Sequence, residues 1–199
     1  RLQAELEEWA EDIGRHAKAV LQIVIQRLGV PSSVDKNNTL VMVPDDSFKG
    51  LLVGKEGRNI EYLESKLPVF VIFNHGGDPT VLYVTGLNLL RRNIAKRANE
   101  KMQKWVKKTG LIDHPLIDKA LEEAEGEIMK ECDQWGEKAM REMHIDPATV
   151  DPEVKNYVGR LYFRTSYGQN IIRHSLEMAH AARLIAELIG SNVEFAELG

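Results

Sequence analysis

Cysteine is almost missing from this chain: Cys132 stands alone among 199 residues. One thiol excludes an internal disulfide and fits a reducing compartment, with a buried structural role as its expectation. Long apolar runs are missing as well. No stretch reaches the roughly 20 residues that a membrane-spanning helix needs, and no apolar leader opens the chain. The first residue is Arg rather than Met, so the chain is expected to be a piece of a longer protein. What is present is ordinary for a globular protein. The 43% hydrophobic and 28% charged content suffices for one or two small domains.

Gly54-Lys55-Glu56-Gly57, followed by Arg58 and Asn59, is the most informative stretch. Two glycines flanking two polar residues let a backbone approach a ligand with no Cβ in the way. Amides that open the following helix suit a phosphate. Glu56 works against this, since a carboxylate there repels a phosphate. Its alternative roles are to neutralise Lys55 or to stabilise the helix N-terminus. The flanking order gives the motif its weight. Leu40-Val41-Met42-Val43 is a short apolar strand. Pro44-Asp45-Asp46-Ser47 ends it and caps a helix over 48–53. Ile60, Leu63 and Leu67 recur at helical spacing until Pro68 stops the run. Residues 69–73 are β-branched and aromatic, hence a strand. A dense turn, Asn74-His75-Gly76-Gly77-Asp78-Pro79, leads to a strand over 81–84 closed by Gly86. Leu89, Ile94, Ala95, Ala98 and Met102 mark a long helix. The sum is β-α-α-β-β-α with the glycine loop between the first two helices. That order resembles a type I KH nucleic-acid-binding module.

The net charge of −4 hides a partition. Residues 49–108 hold twelve basic and five acidic side chains, net +7, whereas 110–160 hold six and thirteen, net −7. A basic module beside an acidic one points to a polyanion partner at the first. The plainer reading is that charges on a long helix form a solvated face.

Leu2, Leu6, Trp9, Ile13, His16, Val20 and Ile23 step by alternating fours and threes, an a/d heptad seam. Gly29, Pro31, Ser32 and Ser33 end it. The reading is a parallel coiled-coil homodimer, with a lone amphipathic helix as the alternative. His16 at a core position suits a dimer better than a larger dry bundle. Residues 113–144 form another long helix with an apolar stripe of Ile117, Leu121, Ala124, Ile128, Cys132, Trp135, Ala139 and Met143. Its acidic face reads as a solvated spacer. Ile145-Asp146-Pro147 breaks it, and Asp151-Pro152 starts a shorter helix. Thr165 and Ser166 read as caps for a last helix whose apolar face holds Ile172, Leu176, Ala179 and Leu184. Residue type alone makes His174 and His180 ordinary packed or surface histidines.

The sequence resembles the ribonuclease Y family. The likeness is carried by the run from Lys49 through Gly54-Lys55-Glu56-Gly57-Arg58-Asn59-Ile60, by Gly86 with Arg91-Arg92, and by Gly159-Arg160-Leu161-Tyr162 continuing through Arg164 to His180. It covers nearly the whole chain from about residue 17. The resemblance implies a bacterial endoribonuclease built from a coiled coil, a KH domain and a metal-dependent HD hydrolase domain, cutting single-stranded mRNA internally in mRNA decay. The expected class is α+β. The expected division is a coiled-coil or amphipathic helix over 1–34, a KH domain over 35–108, a helical connector over 109–158 and the all-α start of an HD domain over 159–199.

Carried onto this chain, the likeness implies RNA contacts at Lys49, Gly54, Lys55, Glu56, Gly57 and Arg58. It makes His174 one ligand of a divalent Mn or Mg ion. Further ligands are expected from a His-Asp pair and a distal Asp. No His-Asp dipeptide occurs in the chain, so the fragment alone is expected to be inactive. The family has a transmembrane anchor ahead of its coil, implying a cytoplasmic protein held at the membrane, whereas this piece makes no membrane contact. Other mRNA-decay proteins are implied partners. The longer, uncharged Asn74-His75-Gly76-Gly77 departs from the family's short acidic strand ending. Two readings of other classes stand beside this one: a KH-type scaffold that binds protein rather than RNA, and an HD-type nucleotide phosphohydrolase.

Overall fold

The computed structural model describes residues 9, 13, 14, 16, 17 and 20, then 39–43, 46–73, 81–166 and 169–198. The turn over 74–80, the seam positions Leu2, Leu6 and Ile23, and the predicted helix stop at Gly29–Ser33 lie outside them. The chain runs β1 (Thr39–Met42), α1 (Asp46–Val53), a 3-10 turn (Lys55–Gly57), α2 (Arg58–Lys66), β2 (Phe70–Phe73), β3 (Val81–Thr85) and α3 (Leu89–Thr109). It continues through α4 (His114–Glu142), α5 (Pro152–Arg160), a 3-10 turn (Leu161–Phe163), β4 (Thr165–Ser166), β5 (Gln169–Asn170), α6 (Ile171–Ile189) and α7 (Val193–Leu198). The mixed α+β class read from the sequence is observed, with a helical majority around a small antiparallel sheet.

β1, β3 and β2 form that sheet in the order β1-β3-β2, with Val41 opposite Leu82 and Val71 opposite Val84. Alternation decides its faces. Val41, Leu82 and Val84 turn inward and are buried, and Leu40, Met42, Phe70 and Ile72 turn outward and are exposed. Phe48, Leu52 and Leu63 from α1 and α2, with Ile94, Ala95, Ala98 and Met102 from α3, fill the inner face. The same core continues without a break into Ile117, Ala120, Leu121, Ala124, Ile128 and Cys132 of α4 and ends at Phe163. Alanines at 95, 98, 120 and 124 leave little between the α3 and α4 axes, so α3 lies between sheet and α4.

Each long helix has the ends its sequence dictates. The Asn88 side chain accepts from the Arg91 amide and starts α3, and Gly110 at φ 71° ends it. Asp113 caps α4 by accepting from Leu116, with Pro115 in the first turn. The start of α6 corrects the sequence reading. Thr165 and Ser166 are not its caps; they pair with Asn170 and Gln169 in a two-stranded ribbon. The cap is Asn170, whose Oδ1 accepts from Arg173 while its Nδ2 donates to the Tyr162 carbonyl at 2.6 Å. A buried carboxamide can serve helix and ribbon together, which a hydroxyl four or five residues earlier cannot. Of the predicted N-terminal seam, Trp9, Ile13 and His16 are helical and exposed, while Val20 is buried against Leu184 of α6.

Two glycines set the α4–α5 crossing. A Cβ at Gly159 would run into the Cys132 carbonyl, and one at Gly136 into that of Lys155. Cys132 beneath this contact is fully buried, and burial pushes its thiol up to about 11. Gly159→Ala is expected to destabilise the chain by about 1–3 kcal/mol through overpacking. Gly126→Ala, also on α4 but with open space at its Cβ, is expected to stabilise by roughly 0.5–1 kcal/mol. Urea unfolding monitored by circular dichroism checks both signs.

Candidate nucleic-acid interface

The chain reverses within four residues after α1. Gly54 takes φ 73°, Glu56 57° and Gly57 82°. Glycine adopts this left-handed region freely, whereas Glu56 does so at a cost of roughly 1–2 kcal/mol. Gly54 has a second reason to lack a side chain. A Cβ there would sit 2.8 Å from the Asn59 carboxamide. That carboxamide donates from Nδ2 to the Leu51 and Ile112 carbonyls, each at 2.9 Å. It therefore ties the end of α1 and the start of α2 to the segment joining α3 and α4. Sequence reasoning gave Asn59 no such role. One of its partners lies 53 positions away, beyond any local pattern.

The turn uses some of its own donors. The Gly57 amide donates to Gly54 O at 3.3 Å and the Arg58 amide donates to Lys55 O. Two amides expected to face a phosphate thus close the 3-10 turn. Lys55, Glu56 and Arg58 are exposed. Glu56 faces Arg58 rather than Lys55, at 3.7 Å with both side chains 70% exposed, a contact of small energetic weight. Lys49 is placed differently from the other five predicted contact residues. Its side chain is 11% exposed and its Nζ lies 3.1 Å from Asp46 Oδ1, so it is a cation held within α1 rather than part of the exposed loop. An open groove of about 610 Å³ runs between Gly54, Lys55 and Arg58 on one side and the 111–115 segment on the other. Beside it the His114 ring stacks on Tyr62 at 3.9 Å, and the Tyr62 hydroxyl donates to Asp118 at 2.7 Å.

The charge partition acquires a different meaning in three dimensions. The acidic face of α4 is solvated, as read, but it is more than a spacer. It packs along α3 and pairs with its bases: Arg91 with Glu125, Arg97 with Glu127 and Glu131, and Lys101 with Glu123 and Glu127. The Lys101 contact with Glu127, at 2.7 Å, raises the ammonium and lowers the carboxylate from their ordinary values, in each case through their mutual hydrogen bond. Lys66 is likewise raised by its contacts with Tyr62 and Asp118. Part of the +7 of the basic segment is therefore neutralised within the chain, because apolar and acidic residues alternate on the helix that α3 must pack against.

His174 stands in the first turns of α6, exposed to solvent, and His180 is exposed further along. Among the described residues no three His, Cys, Asp or Glu side chains gather as metal ligands would. One imidazole does not hold a divalent ion, so the residues described here do not make a metal site. No described helix is long and apolar enough to cross a membrane.

Comparison with known proteins places this geometry. No family model matches the chain. No solved structure matches it. Ribonuclease Y of Thermosipho melanesiensis is 38% identical over 191 residues, 96% of this chain and 36% of that protein. Ribonuclease Y of Streptococcus sanguinis is 36% identical over 180 residues, 90% of this chain and 32% of its own length. The Geobacter sulfurreducens ribonuclease Y is 32% identical over 197 residues, 99% of this chain and 36% of the relative. The chain thus spans about a third of the length of the curated relatives it matches. Identity of 32–38% over 90–99% of this chain identifies it as a segment belonging to the ribonuclease Y family.

Proposed function

We propose that this chain is the RNA-presenting and dimerising portion of an endoribonuclease that hydrolyses phosphodiester bonds of single-stranded mRNA during its decay. The observation that carries the reading is the glycine turn itself. A left-handed backbone without Cβ atoms at 54 and 57 borders an open groove beside two exposed cations, Lys55 and Arg58. A sugar-phosphate backbone can approach such a turn closely, with the cations meeting its charge. The β-α-α-β-β-α unit then acts as a KH-type module, and 159–199 as the start of an HD-type domain. The N-terminal seam pairs two copies in a coiled coil. In this reading His174 supplies one ligand to a divalent Mn or Mg ion, and the remaining ligands belong to the part of the family's length that this chain does not span.

A second reading, a scaffold that contacts protein rather than RNA, is favoured by one observation. The outer sheet face presents Leu40, Met42, Phe70 and Ile72 to solvent, Phe70 being 65% exposed.

Binding of a short single-stranded RNA separates the two. Wild-type affinity is expected to fall with salt, with a logarithmic slope of about −0.7 for each phosphate neutralised. Gly54→Asp/Gly57→Asp places two carboxylates in the turn and is expected to weaken binding at least about tenfold, equivalent to 1.4 kcal/mol. Lys55→Gln/Arg58→Gln, which leaves the turn's backbone alone, is expected to lower both affinity and slope. RNA affinity indifferent to salt and to both variants would move the module to protein contacts.

The metal assignment has its own test. In a full-length protein carrying this segment, RNA cleavage with added Mn²⁺ or Mg²⁺ is expected, and His174→Ala is expected to lower its rate at least about a hundredfold. Undiminished cleavage by that variant would remove His174 from the site.

A further inference from the structure

A second groove, of about 820 Å³, opens where α3 begins and α5 ends. That volume falls within the roughly 300–1,000 Å³ of small-ligand sites. Among the described residues its charged lining consists of arginines, with no carboxylate: Arg91 and Arg92 from α3, Arg160 at the end of α5, and Arg164 ahead of the β4 ribbon. This differs from the flank of α3 that faces α4, where Arg97 and Lys101 each meet two carboxylates.

The four arginines differ in setting: Arg92 is buried, which lowers it from its ordinary value, while Arg160 and Arg164 carry the groove's uncompensated charge. Arg160 donates from Nε to Asn156 Oδ1 at 2.8 Å, and its guanidinium carbon lies 4.8 Å from the Tyr157 ring centroid. It has no carboxylate partner among the described residues. Neither has Arg164, which is exposed. Arg91 reaches Glu125 only at 3.6 Å. The first turn of the 21-residue α3 forms one wall, bringing the positive end of that helix to the same space. Tyr157, 53% exposed, lies at the rim.

We propose that this groove is a second contact site for single-stranded RNA, in which the arginines grip the phosphodiester backbone and Tyr157 stacks on an unpaired base. Guanidinium forks match phosphate oxygens bidentately, which ammonium groups do not. An exposed aromatic ring beside an arginine is the platform that unpaired bases use. Arg164 and Thr165 lead directly into the ribbon and α6, so one wall of the groove is continuous in the chain with the helix that carries His174. The inference rests on the RNA-binding reading above, but on none of the glycine-turn residues.

The test is fluorescence anisotropy of this chain with a labelled single-stranded RNA of about 20 nucleotides, over a salt series. Arg164→Glu is expected to weaken binding about fivefold or more and to flatten the salt slope by about 0.7. Arg164→Lys is expected to retain most of the slope while losing part of the affinity, and Tyr157→Ala to lose about tenfold. Arg141→Glu, the same charge change at an exposed arginine elsewhere, is expected to leave affinity near wild type. Circular dichroism melts identify any variant that fails to fold, and Arg164→Lys and Tyr157→Ala then carry the comparison. Wild-type affinity in both Arg164→Glu and Tyr157→Ala overturns the groove. If Gly54→Asp/Gly57→Asp still abolishes binding in that case, the glycine-turn reading survives alone. Equal losses in Arg164→Glu and Arg141→Glu overturn the groove by reducing it to net charge. A wild-type chain that binds no RNA overturns both.

Discussion

The packing of α4 along α3 is the constraint on which the rest depends. The three-stranded sheet with α1 and α2 offers a small core, and α3 is the helix that covers it. The side of α3 turned away from the sheet would expose further apolar surface if α4 did not lie on it. Ile117, Ala120, Ala124 and Ile128 continue the core laid down by Ile94, Ala95, Ala98 and Met102. Small residues on both helices allow the close approach, and the ionic contacts of Arg97 and Lys101 follow along its edge. Exposed pairs of this kind add little energy each. Their consequence lies elsewhere: they compensate positive charge along one flank of α3, whereas the groove at the start of that helix, with Arg160 and Arg164 opposite, has no carboxylate among its described lining.

The Asn59 carboxamide connects this packing to the glycine turn. By donating to Leu51 and Ile112 it couples the turn to the segment that leads into α4. Its position leaves no room for a side chain at 54. Gly54 is thus fixed by two independent facts, a left-handed backbone and a neighbouring amide, while Gly57 is fixed by its backbone alone. The turn is held from behind, which leaves its outer edge and the cations of Lys55 and Arg58 free to meet a ligand without reorganisation. Preorganisation of that kind saves ordering entropy on binding.

How much of this was legible in the sequence follows from which interactions are local. The strands around Val41, Val71 and Leu82, the helix stop at Pro68 and the glycine turn all rest on periodicity and backbone propensity, which a single sequence displays. The cap of α6 was misread because Thr165 and Ser166 have capping chemistry but the ribbon with Gln169 and Asn170 consumes them. The acidic stripe of α4 was read as a spacer alone because nothing in its spacing says which helix it will face. Lys49 was grouped with the loop by the family likeness, and its place on α1 turns it to Asp46. The arginine groove was out of reach for the same reason as Asn59. Its walls come from residues near 90 and near 160, and only the fold brings them together.

That juxtaposition bears on how an RNA strand would be handled. A clamp that grips a few nucleotides at the glycine turn fixes one point of a flexible strand and leaves its direction open. A second phosphate contact, built from α3 on one side and the approach to α6 on the other, would fix a direction as well, because a strand held at two points has far fewer conformations to lose at a third. The walls of the groove belong to α3 and to the end of α5, which packs on α4, so its shape follows from the same helix packing that holds the glycine turn through Asn59. The relative position of the two grips would then be a property of the folded core rather than of any loop.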